Sequence, residues 1–239
     1  MNQDLISSIL DLISKMVFPF LGTTEIIAQP RAYWDNSYTI WLIFSIIFFV
    51  GILLVGIYIV IRYRYVKGKN EEGAHIEGNT ALEVVWIAIP TILALFLATL
   101  SFANFMYQRT LPADALEVKI TAFMWGWEIE YPNGKVVSTY FNTEKPFEKD
   151  DSEKFYLPVG KKIKVLLSSR DVIHSFYVQP AMITEDAVPG RITYMWFQIN
   201  KEGEYYAFCR EYCGSWHSYM IAVLKVVSEE EFNKWLEQK

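Results

Sequence analysis

The chain has 239 residues, a formal net charge of −5 and a hydrophobic share of 52%. That length allows about one or two domains, and the apolar share is high for a wholly soluble protein. No basic patch stands out, which excludes a nucleic-acid surface from the functions considered.

In chain order, the first segment is "MNQDLISSILDLISKMVFPF". Leu5, Ile6, Ile9, Leu10, Ile13, Met16 and Val17 fall on one helical stripe, so an interfacial amphipathic helix is expected. Its head is acidic and shows no small-residue cleavage pattern, so a removable signal peptide is not expected. From Tyr38 to Ile61 there is no charged residue, enough chain to span a bilayer, which takes about 20 residues. A second apolar run starts near Leu82 and carries one charge, Glu83, at its start. Pro90 inside it is tolerable, because neighbouring helices can satisfy the freed carbonyl. Arg62, Arg64, Lys67 and Lys69 follow the first span, against only Lys15 and Arg31 before it. The positive-inside rule therefore puts the loop in the cytoplasm or mitochondrial matrix and both termini on the opposite side. Residues 1–36 form an N-terminal extracytoplasmic segment, 37–107 a transmembrane helical hairpin and 108–239 an outer domain.

The outer domain changes register. "LEVKITAFMWGWEIEY", "KVVSTYFN", "KIKVLLSS", "RITYMWFQI", "EYYAFC" and "MIAVLKVV" are rich in β-branched and aromatic residues. Pro132-Asn133-Gly134, Pro158-Val159-Gly160, Pro189-Gly190 and Glu202-Gly203 supply turns between them. Short strands at this spacing predict a β-sandwich or barrel. Ser228 and Glu231 are spaced as a capping box at the head of a short C-terminal helix. The outer domain is mildly acidic, which suits a basic partner.

The only two cysteines lie in "CREYCGSWHSYM", from Cys209 to Met220. A disulfide across so small a loop gives modest entropic stabilisation and leaves His217 and Met220 unexplained. A zinc site can use the two thiolates and imidazoles, but has little use for a thioether. Thiolate, imidazole and thioether together suit copper, although single-copper electron-transfer sites use one cysteine. Two bridging cysteines can hold two ions, each needing its own imidazole. His75 falls on the inner side of the membrane, which leaves His174 in "SSRDVIHSFYV" as the partner of His217.

With these residues in view, the sequence resembles subunit II of the haem–copper cytochrome c oxidases, the subunit that carries the binuclear copper A centre. The pattern C-x-E-x-C-G-x-x-H-x-x-M is present as Cys209, Glu211, Cys213, Gly214, His217 and Met220. "DVIHSF", "DAVPGR", "GNTALEVVWIAIP" and "WGWEIEYPNG" match further segments. The resemblance covers nearly all of the chain beyond residue 35. It implies an α+β membrane protein, in which a two-helix transmembrane hairpin precedes an extracytoplasmic cupredoxin-like β-sandwich or barrel.

The resemblance implies the following roles. Two copper ions are held by His174, Cys209, Cys213 and His217, with Met220 and the Glu211 carbonyl as weaker ligands. The Glu211 carboxylate shares a magnesium or manganese ion with subunit I. Trp125 receives the electron, Glu83 marks the mouth of a proton path, and Asp171 helps dock a basic carrier. Partners are subunit I and other oxidase subunits, cytochrome c or another c-type carrier, and the lipid membrane. The setting is a multi-pass protein of the bacterial cell membrane or mitochondrial inner membrane, with the copper domain on the periplasmic or outer side. Core packing is the ordinary reading of Trp125 and Trp127, which should point to one face of a strand. Snorkelling is the ordinary reading of Glu83. The chain departs from the family at Met124, Gly126 and Thr184, where glutamine, an aromatic residue and lysine are usual. A quinol oxidase subunit II lacks the copper ligands. Copper chaperones place their histidine well after the cysteines. Nitrous oxide reductase carries its copper domain in a larger soluble enzyme.

Overall fold

The computed structural model describes residues 27–69, 71, 73, 77–141 and 154–238. The N-terminal stripe and His75 lie outside the described residues. The chain falls into two compact units. One is built on Asp35–Phe105; the other runs from Met106 to the C-terminal helix, with the short stretch ending at Trp34.

The first unit holds most of α1 (Arg31–Arg62) and α2 (Thr80–Arg109). Both contain spans long and apolar enough to cross a membrane, Ser37–Arg62 and Thr80–Arg109. Their apolar side chains stay largely exposed, as expected of surfaces that meet lipid. Asn104 of α2 bonds to the hydroxyl of Ser37 on α1, the kind of polar contact that joins helices in a bilayer. Thr91 and Thr99 donate back to the carbonyls of Ile87 and Leu95 at 2.7 and 2.9 Å, so their hydroxyls need no outside partner. Asn79 caps α2, its Oδ1 accepting from the N–H of Leu82 at 3.1 Å.

The second unit is a sandwich of two sheets. The strands are β1 (Ala28–Gln29), β2 (Leu116–Phe123), β3 (Gly126–Glu130), β4 (Val136–Tyr140), β5 (Lys154–Pro158), β6 (Lys162–Ser169), β7 (His174–Val178), β8 (Ile183–Ala187), β9 (Thr193–Ile199), β10 (Gly203–Cys209) and β11 (Ile221–Val227). One sheet runs β1-β9-β6-β2-β3-β4 and the other β5-β11-β10-β7-β8. The β2–β6 and β5–β11 pairs are parallel; the others are antiparallel. Alternation decides the inner faces. Val118, Ile120 and Ala122 of β2, Ile163, Val165 and Leu167 of β6, and Ala222, Leu224 and Val226 of β11 all join one core. Lys162 and Lys164 point outward and reach Asp114 and Glu117.

The long run from Leu116 is two strands, because the chain turns at Met124–Trp125. Gly126 follows at once. A Cβ there would stand 2.3 Å from the carbonyl oxygen of Thr139 on β4, so only glycine allows the strands to close. Ser228 caps α3 (Glu229–Glu237), accepting from the N–H of Glu231 at 3.2 Å.

Candidate metal centre

Two elements build the site. Strand β7 starts at His174 and pairs with β10, so that Phe176 stands opposite Cys209. The chain leaves β10 at Cys209, loops through residues 210–220 and re-enters the sheet at Ile221, opposite Phe208. The loop is closed at its base by the Cys209 N–H, which donates to the Met220 carbonyl at 3.1 Å. Within it, a single 3₁₀ turn, His217–Tyr219, brings His217 back toward Cys213.

The result is a compact set of soft donors. The two cysteine sulfurs are 3.8 Å apart, far beyond a disulfide bond of about 2.05 Å. Each faces one imidazole: Cys209 Sγ lies 3.8 Å from Nδ1 of His174, and Cys213 Sγ 3.5 Å from Nδ1 of His217. Met220 Sδ stands 3.8 Å from Cys213 Sγ, and the Glu211 carbonyl 3.2 Å from Cys209 Sγ. His174 is 0% exposed and Met220 1%, while His217 is half-buried. His174, Cys209 and Cys213 offer ligand atoms within 4.8 Å of one another. The Glu211 side chain itself is exposed.

Electrostatics separate the two thiols. Burial works against a Cys209 thiolate, but bonds to His174, Ser175, Glu211 and Cys213 outweigh it and hold the pKa below its ordinary value. Burial, and then the facing Cys209, push the Cys213 thiol up to about 12. For His174 burial works against the imidazolium, yet the bonds to Cys209 and Asp171 hold its pKa above the ordinary value. Soft donors of both sulfur and nitrogen type fit copper.

Trp125 lies in the turn ahead of β3, and its indole N–H donates to the carbonyl of Cys213 at 3.3 Å. Gly214 makes room for it: φ is +122°, and a Cβ there would stand 3.2 to 3.5 Å from three indole atoms. Trp127 is fully buried, its ring edge-on to Phe176 (4.8 Å) and to His174 (6.1 Å). Both tryptophans border the site, though only Trp127 sits within a strand. Ser175, next to His174, shares a 2.9 Å hydroxyl contact with Thr184, which gives that departure from the family a local partner. Glu83 sits in the first turn of α2, half-buried, where a carboxylate complements the helix dipole.

Sequence reasoning took Asp171 for a docking acid and did not see its bonds at the site. Its Oδ1 accepts from Nε2 of His174 at 2.8 Å, and its Oδ2 from the N–H of Met124 at 2.7 Å. Partial burial works against the carboxylate, but these bonds hold its pKa below the ordinary value. The available signal was the D-x-x-H spacing, since ligating histidines usually give their second N–H to a carboxylate or carbonyl.

Two helices long and apolar enough to span a membrane, and a sandwich with this buried sulfur–imidazole cluster, define a membrane-anchored protein with a candidate metal site. The family model for the periplasmic domain of cytochrome C oxidase subunit II matches residues 116–227, and that for its transmembrane domain residues 29–103. The chain is 30% identical to cytochrome c oxidase subunit 2 of Cereibacter sphaeroides, covering 88% of this chain and 78% of that protein. It is 31% identical to the probable cytochrome c oxidase subunit 2 of Rickettsia bellii, covering 85% and 77%. Among solved structures, the periplasmic domain of subunit II of cytochrome oxidase from Bradyrhizobium japonicum is similar at 33% identity, with a TM-score of 0.48 over 54% of this chain and 95% of that one. The chain belongs to the cytochrome c oxidase subunit II family and is part of a haem–copper oxidase. The His174, Cys209 and Cys213 group fits the copper A centre of such a subunit.

Proposed function

We propose that His174, Cys209, Cys213 and His217 would hold two copper ions. Met220 Sδ and the Glu211 carbonyl complete the set. The observation that carries this reading is the pairing of each sulfur with one imidazole Nδ1 across a 3.8 Å sulfur–sulfur gap. When bound, the pair of ions supplies one-electron storage between cytochrome c, or another c-type carrier, and the haem of subunit I where oxygen is reduced to water.

The chain's own residues hold the donors still. The buried His174 and Met220 and the closed base of the loop leave little room for ligand movement, which keeps reorganisation small on electron transfer. Trp125 receives the electron. Its side chain is half-exposed while its N–H is bonded to the backbone of Cys213, which gives a short route inward. The exposed Glu211 carboxylate holds magnesium or manganese at the contact with subunit I, as a hard oxygen donor suits such an ion. Glu83 marks the mouth of a proton path into subunit I. The subunit lies in the bacterial cell membrane or the mitochondrial inner membrane, with the sandwich on the periplasmic or outer side.

The test uses the full chain in detergent, loaded with copper. A seven-line electron paramagnetic resonance pattern is expected, from one electron shared by two ions. A four-line pattern, or no copper uptake, refutes the binuclear reading. Trp125→Phe should slow electron uptake from cytochrome c at least tenfold and leave that spectrum unchanged; an unchanged rate removes Trp125 from the route.

A further inference from the structure

Asp171 lies in the short turn between β6 and β7, and both its oxygens are engaged. Oδ1 accepts from Nε2 of His174 (2.8 Å) and from the N–H of Val172 (2.7 Å), with the Ser169 hydroxyl at 3.4 Å. Oδ2 accepts from the N–H of Met124 (2.7 Å). Met124 is the residue before Trp125. The Trp125 carbonyl in turn accepts from the N–H of Phe141 (2.9 Å), and its indole donates to Cys213. One carboxylate therefore grips both the His174 ring and the turn that carries Trp125.

A docking acid works differently. It presents free oxygens to solvent, where a cationic partner meets them, and its removal changes encounter but not the site behind it. A carboxylate that already accepts three close N–H bonds has little left to offer a partner. Met124, Val172 and Ile173 beside it are exposed apolar side chains, and the neighbouring exposed Arg170 is paired with Glu128.

We infer that Asp171 is a positioning residue, which fixes the His174 ring with Nδ1 toward the sulfurs and clamps the Met124–Trp125 turn against the site. The ligand and the electron-uptake residue thus share one anchor. This rests on the copper reading above and on Trp125 as the point of uptake. Its chemistry is the general one in which a carboxylate sets the tautomer and orientation of a ligating imidazole.

Two measurements test it. In the copper-loaded full chain, Asp171→Asn should change the nitrogen hyperfine coupling of one imidazole and leave the other alone. The reduction potential should rise, because a negative charge one imidazole away is removed. The rate of electron uptake from reduced cytochrome c at saturation should fall at least tenfold, with the salt dependence of KM unchanged. Unaltered couplings, potential and saturated rate, with a raised KM and a flatter salt dependence, would make Asp171 a docking acid and overturn the inference.

The second measurement needs no Asp171 variant. In the copper-free full chain with ¹⁵N-labelled histidine, and with His75→Gln and His217→Gln leaving a single signal, His174 at a pH where it is neutral should carry its proton on Nε2. A proton on Nδ1 overturns the inference. If the wild-type chain lacks the seven-line spectrum, the copper reading falls, while the proton position still decides the role of Asp171.

Discussion

Replacing Gly126 with alanine tests whether crowding between strands, and not backbone freedom, demands glycine beside the site. A methyl group there would stand 2.3 Å from the Thr139 carbonyl oxygen, 2.8 Å from Cα of Tyr140 and 2.8 Å from the end of the Phe123 ring. The ring can swing aside. The other two atoms belong to the backbone of β4, held to β3 through the Gly126–Tyr140 register. A tolerable carbon–oxygen contact is about 3.3 Å, so β4 must retreat by about 1 Å. That retreat stretches the 2.9 Å bond from the Phe141 N–H to the Trp125 carbonyl. Overpacking costs about 1–3 kcal/mol, and one weakened hydrogen bond about 1 kcal/mol more. At a few degrees per kcal/mol for a domain of this size, the midpoint should fall by roughly 10 °C. The assay is thermal unfolding of the full chain in one detergent, followed by near-ultraviolet circular dichroism, which reports aromatic packing in the sandwich. Val136→Ala, at an exposed position on β4, serves as the control and should change little. A Gly126→Ala midpoint within about 2 °C of wild type would refute the crowding argument.

Met220→Leu keeps volume and burial, so folding should lose less than about 1.5 kcal/mol. Removing the thioether 3.8 Å from Cys213 should raise the reduction potential of the copper-loaded chain; an unchanged potential, by redox titration, would mean Met220 only fills space. The His174–Asp171 contact gives the copper-free chain a pH signature. Asp171 is held below its ordinary 3.8, so its contribution is present above that value and is lost as pH falls through the folded pKa. His174 is held above its ordinary 6.5, so its contribution is full below that value and is lost as pH rises through the folded pKa. Thermal midpoints of the copper-free wild type should therefore exceed those of Asp171→Asn most between pH 3.8 and 6.5. A constant difference across pH would count against the pair.

What could be read from the sequence was whatever a local pattern determines. The runs at 162–169 and 220–227 are rich in β-branched and other apolar residues, and strands form at Lys162–Ser169 and Ile221–Val227 with alternate side chains inward. The ligand loop was legible because five of its donors fall within twelve residues, and His174 because it was the one remaining histidine on the outer side. Four strands escaped. In β8, "ITEDA", the acids have little preference for a strand, and pairing with β7 makes one of it. Strand β7, "HSFYV", is short, and β5, "KFYLP", ends in proline and follows a charged stretch. The two-residue β1 exists only as an addition to β9.

The bonds of Asp171 were not legible for a deeper reason. An aspartate after an arginine at a strand end reads as surface, and nothing local says which way its oxygens turn. Their direction is set by the Met124–Trp125 turn, which arrives from β2, far away in sequence. The same long-range contact explains why Trp125 leaves the strand alternation. Its carbonyl accepts from Phe141, one step beyond the Gly126–Tyr140 pair of the ladder, while its indole reaches Cys213. Trp125 and the sulfur–imidazole cluster are therefore joined by tertiary hydrogen bonds, not by sequence spacing. For this reason the motif alone locates the donors but not what aims them.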